Sequence, residues 1–93
     1  MKIPKQLKIL CYDYKVLLRD RSNEDGISNT GTHYEYALKI WIDKEAPRQQ
    51  QEQTLIHEIV EALNSINNLK FEHQQIEILA VGFYQVLRDN KLI

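Results

Sequence analysis

The run Thr54-Leu55-Ile56-His57-Glu58-Ile59-Val60-Glu61 holds an imidazole and two carboxylates in the form H-E-x-x-E. In an α-helix each residue turns about 100°, so His57 and Glu61, four apart, stand about 40° apart on one face. Two such side chains can reach one metal ion, the first through a ring nitrogen and the second through an oxygen. Glu58 lies about 100° from His57, beside such an ion rather than on it. A general base belongs there, where it can take a proton from a water that the ion has polarised. A third protein donor would leave the fourth position of a catalytic site open. His73 is the candidate for that donor, and Glu77, one helical turn later, is the runner-up. His57, Glu61 and His73 make two imidazoles and one carboxylate, a set that suits Zn2+. Using Glu77 as a fourth ligand would suit iron or manganese instead, for example where two copies of the chain meet. Cys11 is the single cysteine, which excludes an internal disulfide and any zinc site built on two cysteines of one chain.

These residues need elements to position them. Lys8 to Leu18, KILCYDYKVLL, is rich in β-branched and aromatic residues and reads as a strand. Arg21 to Gly31 collects Gly, Ser, Asn and Asp and reads as an exposed connection. Alternation returns from Thr32 to Asp43, with Tyr34, Tyr36, Leu38, Ile40 and Ile42 on one face, and predicts a half-buried strand antiparallel to the first. Pro47 fits the first turn of a helix. Leu55, Ile56, Ile59, Val60, Leu63 and Ile66 then recur at helical spacing, and Asn67-Asn68 can end that helix because Asn tolerates the left-handed conformation. A second helix is expected from about Glu72 to Asp89, with Ile76, Leu79, Ala80, Phe83, Val86 and Leu87 on one face. His73 lies beside that apolar arc, so it should point toward the first helix if the two form an antiparallel pair. The order strand, strand, helix, helix is an α+β pattern.

The chain has 93 residues, enough for one domain, residues 1–93. Twelve basic against thirteen acidic residues give a formal charge of −1, which argues against a general nucleic-acid or anionic-membrane surface. The longest uncharged apolar stretch, Ile78 to Leu87, is far short of the roughly 18–20 residues that span a bilayer. With one cysteine and no targeting segment, a cytoplasmic protein is expected. Each candidate also has a plainer reading. Gln50, Gln53, His57, Glu61 and Asn64 share one polar arc, as on any solvated helix face. Glu58 and Glu77 fit surface acids, and His73 fits a helix-start residue. His33 reads as solvent-facing, Tyr84 as a packing residue and Cys11 as a small buried hydrophobe.

Gln53 to Leu63, QTLIHEIVEAL, follows a strand that ends Lys39-Ile-Trp-Ile-Asp43. It resembles small phage and prophage zincins, in which strand residues precede a T-L-x-H-E-x-x-H-A helix. Those are distant relatives of the zinc metallopeptidases that act on prophage repressors. Ile78 to Asn90, ILAVGFYQVLRDN, is similar to the closing helix of that group, which ends x-V-L-x-D-N. The resemblance covers roughly residues 32–90. It implies a minimal zincin-like fold, a small antiparallel sheet or hairpin packed on an active-site helix and a second, antiparallel helix. At position 61 this chain has Glu where the zincin motif has its second His. In such relatives the later ligand is often an acid, and the corresponding place here holds His73, an exchange that preserves the ligand set.

The resemblance implies a zinc-dependent metallopeptidase of phage or prophage origin, a hydrolase in the cytoplasm of a bacterial host. Its partner would be a peptide or protein substrate, held as an extended chain along the strand Thr32 to Asp43. The alternative is a catalytically degenerate zincin-like module that serves protein–protein binding, with or without a structural metal.

Overall fold

The stretch that the sequence pattern reads as a first strand is a hairpin, β1 (Gln6–Ile9) and β2 (Tyr12–Arg19). The computed structural model describes residues 1–20, 31–34 and 38–93, with side chains from 1–20 and 38–93. The expected connection after Arg21 lies outside the described residues except for Gly31, as does the side chain of His33. The hairpin reverses at Leu10-Cys11, where Leu10 takes a φ of 54°. Such a position is usually marked by Gly, Asn or Asp. A leucine leaves no mark, and the turn is hidden in an apolar run. This also corrects the reading of Cys11, which is exposed because it sits in the turn.

The second expected strand is likewise two, β3 (Gly31–Tyr34) and β4 (Lys39–Asp43), antiparallel to each other. Leu38, just before β4, has a φ of 53°. The sheet order is β1-β2-β4-β3. Its two outer pairs are antiparallel, but the central pair, which joins the two expected strands and was expected to be antiparallel, is parallel, with Val16 opposite Ile40 and Leu18 opposite Ile42. The reason is the order of insertion. The second hairpin places its later strand against β2 and leaves β3 at the edge, so β4 runs in the direction of β2. Alternation reports which face a residue occupies and carries no information on strand order.

Alternate residues on one face of the sheet, Tyr14 and Val16 on β2 and Ile40 and Ile42 on β4, are buried with Ile9, Leu55 and Ala62. Leu55 and Ala62 come from α1 (Arg48–Asn67), which lies across this face and packs along β4 and β3. Asp43 accepts a hydrogen bond from the Glu45 amide, and the Gln51 side chain donates to the carbonyls of Asp43 and Lys44. Those bonds fix the angle at which the strand hands over to the helix. Asn68 ends α1 in the left-handed region, φ 52°, as expected from the Asn pair.

The next helix, α2 (His73–Asp89), starts after a capping box in which Glu72 and Gln75 each bind the other's backbone amide. The Asn64 side chain accepts a hydrogen bond from the Phe71 amide, tying this entry back to α1. The helices form the expected antiparallel pair, and the architecture is α+β. The expected apolar face of α2 needs correction. Ile76, Ala80 and Tyr84 are buried, one per turn, while Phe83 is 56% and Val86 47% exposed. Among the described residues α2 packs extensively on α1 alone, not on the sheet, so a narrow seam is enough to seat it. No described helix is long and apolar enough to cross a membrane.

Candidate metal centre

Helix α1 is covered on two sides, by the sheet and by α2. His57 and Glu61 stand toward α2 on the arc that composition alone marks as polar. The His57 side chain is only 12% exposed there and that of Glu61 34%. This face is therefore a helix–helix boundary rather than a freely solvated surface.

His57 Nε2 lies 3.7 Å from Glu61 Oε2. His73, the first residue of α2, brings its ring to 5.6 Å from the His57 ring, centroid to centroid. One donor atom from each of His57, Glu61 and His73 falls within 4.8 Å of the other two. Around a tetrahedral zinc with donors at about 2.0–2.1 Å, neighbouring donors stand about 3.4 Å apart. The trio would have to close by about an ångström or a little more. His73 has the freedom to do it, since its side chain is 75% exposed. The donor chemistry and spacing thus fit a divalent ion, and the three residues singled out by type and spacing are the three that the fold gathers.

Glu77 borders the trio. Its Oε2 is 3.6 Å from His57 Nδ1 and 3.8 Å from His73 Nε2. It approaches the ring of His57 from the edge opposite to Glu61, so it is a neighbour of the ligands rather than a member of the set.

Glu58 is 5% exposed, on the side of α1 between the sheet and the trio. Its carboxylate makes no hydrogen bond among the described residues. Burial, helped by the charge of Glu61, pushes its pKa up to about 8. That separates it from a surface glutamate. It is a buried acid whose ionisation responds to the charge around it.

Tyr84 is not free to meet a substrate. Its hydroxyl donates a 2.7 Å hydrogen bond to Glu52 Oε1. Glu52 also receives Arg48 Nε at 3.3 Å and the Met1 amino group at 3.4 Å. The Tyr84 bond, with Arg48 and the amino group behind it, holds the Glu52 carboxyl below the ordinary carboxylate range. Burial, and then Glu52, pushes the Tyr84 phenol up. Sequence reasoning passes over Glu52. The available signal is Arg48 four residues before it, a common helix-surface spacing that says nothing of a tyrosine 32 residues later. This contact sets the register of the helix pair. Moving along α1 from Glu52 to His57 moves the partner back along α2 from Tyr84 to Glu77, as antiparallel helices require.

An open groove of about 890 Å³, lined by Ile3, Lys5, Val16 and Leu18 among others, follows β1 and β2 and includes none of these residues. The expected substrate edge also moves. Lys39–Asp43 is interior, between β2 and β3, and β3 is the edge strand on the side of α1.

No protein-family model, curated protein or solved structure matches this chain.

Proposed function

We propose that the protein is a zinc-dependent metallopeptidase in which His57, Glu61 and His73 hold the metal and Glu58 is the general base. The observation that supports this reading is the convergence of one donor atom from each of these three residues within 4.8 Å. Two of them sit four residues apart on α1 and the third opens α2, so the helix pair itself builds the site. A bound zinc would supply Lewis acidity, polarising a carbonyl and bringing the pKa of water toward about 7. Glu58, next to His57 and buried, would take the proton from the attacking water and return it to the leaving amine. The edge strand β3, packed beside α1, is where an extended peptide backbone would align. The cytoplasm of a phage-bearing bacterium is the setting that the zincin resemblance implies.

A second reading, a binding module that has lost catalysis, draws support from the exposed Ile78, Phe83 and Val86 on α2. Zinc content of protein purified without added metal tests the site itself. The parent should carry about one zinc per chain, and His57→Ala and His73→Ala should each carry far less. Equal zinc in all three would remove the site as drawn.

A further inference from the structure

Two acids address the ring of His57 from opposite edges. Glu61 Oε2 is 3.7 Å from Nε2, and Glu77 Oε2 is 3.6 Å from Nδ1. A neutral imidazole has one N–H and one lone pair, and the partner of one nitrogen decides which tautomer is present. A ring that binds metal through Nε2 must carry its proton on Nδ1. Among the described residues, the Glu77 carboxylate is the acceptor that stands beside Nδ1.

We propose that Glu77 is a positioning residue that holds His57 with its proton on Nδ1 and leaves the Nε2 lone pair facing Glu61. The proposal gives a purpose to the metal reading above and rests on it, but the tautomer itself can be measured without metal. At 3.6 Å the pair is about half an ångström beyond a direct hydrogen bond. The His57 ring is confined between the helices, 12% exposed, while the Glu77 side chain is 49% exposed and can move to close the gap. The same Glu77 oxygen lies 3.8 Å from His73 Nε2, so one carboxylate borders both imidazoles and orients the pair. Glu77 therefore has a place without being a ligand. It acts on the nitrogen that the metal does not use.

The test uses long-range proton–nitrogen NMR of the metal-free, nitrogen-15-labelled chain at a pH where His57 is neutral, which distinguishes Nδ1–H from Nε2–H directly. The parent should show His57 with Nδ1–H. Glu77→Ala should shift the ring toward Nε2–H, and Glu77→Gln, whose amide oxygen accepts the same bond, should restore the parental pattern. Zinc affinity should fall about 10- to 100-fold in Glu77→Ala and recover in Glu77→Gln, as expected for an outer partner of a metal-binding histidine. Because Glu77 is half exposed, the fold should survive; Glu77→Leu, which keeps bulk and helix propensity, provides a second variant without an acceptor. An Nε2–H tautomer in the parent, or an unchanged tautomer in both Glu77→Ala and Glu77→Leu, would overturn the proposal. A parent that shows Nδ1–H but binds no zinc would instead count against the metal reading and leave the role of Glu77 in place.

Discussion

Glu52 and Glu58 are two buried acids on the same helix, fewer than two turns apart, and the fold treats them oppositely. Glu52 is 8% exposed and meets a tyrosine hydroxyl, a guanidinium and an amino group, which keep it ionised. Glu58 is 5% exposed and meets no hydrogen-bond donor among the described residues, and its pKa rises to about 8. Burial raises both. What differs is whether partners are supplied. An acid with every partner in place is a structural joint, here between α1 and α2. An acid buried without them has a proton that can come and go, at a cost to stability. On this contrast Glu52 belongs to the fold, while Glu58 is the acid to which the proposed mechanism gives the proton transfer.

The largest expected effect is on turnover. Glu58→Gln keeps the size and removes the base, so zinc-loaded protein should lose about 10²- to 10⁴-fold in peptide hydrolysis while retaining its zinc. A readout of cleavage of a casein-like protein substrate, with metal content measured on the same samples, is sufficient. Zinc retained with hydrolysis undiminished would strip Glu58 of its role, and no hydrolysis by the parent would favour the binding module.

The next effect is on stability, and its sign follows from the direction of the shift. The folded pKa of Glu58 is raised from the ordinary 4.5 to about 8, so between those values the folded state holds a proton that the unfolded state has released. Stability from this group is full below about pH 4.5, declines as pH rises, and is gone above about 8. At about 1.4 kcal/mol per pKa unit, the decline approaches roughly 5 kcal/mol. Urea unfolding of the metal-free chain from pH 5 to 9 should trace it, and Glu58→Gln should flatten it. A zinc ion near the carboxylate favours the charged form, so loading should move the decline to lower pH. Parallel curves for parent and Glu58→Gln would show that Glu58 does not titrate in this window.

How much of this was legible in the sequence depends on whether the signal is local. His57 and Glu61 are related by helical spacing, Pro47 and Asn68 bound their helix, and Asn67-Asn68 makes the turn short. From those facts the meeting of His73 with the pair follows. The turn at Leu10 and the split at Leu38 left no trace, because a left-handed φ on leucine is allowed by the surroundings rather than announced by residue type. The parallel pairing of β2 with β4 is a decision between distant segments, invisible to alternation. The width of the α2 face was overestimated for a related reason. Leu79, Phe83 and Val86 repeat at helical spacing whether or not a second surface exists to cover them, and among the described residues α2 packs extensively on α1 alone. The pairing of Glu52 with Tyr84 and the two-sided approach to the His57 ring needed the register of the helix pair, which no local pattern contains.

The smallest effect tests the joint. Tyr84→Phe removes one hydroxyl and keeps the ring that fills the seam beside Ile76 and Ala80. The Glu52 carboxylate would keep Arg48 and the amino group but lose its shortest bond, so about 1–2 kcal/mol of stability should go at pH 7. The pH dependence runs opposite to that of Glu58. A depressed carboxylate contributes stability that is present above its unfolded pKa of about 4.5 and is lost as pH falls through the folded value. Much of the depression of Glu52 comes from Tyr84, so the gap between parent and Tyr84→Phe should narrow as the solution is made acidic. Unfolding curves at pH 7 and near pH 3 are enough to see it. A gap that stays constant would mean that the hydroxyl matters through packing alone, and Glu52 would then lose its claim to be the acid that fixes how the two helices meet.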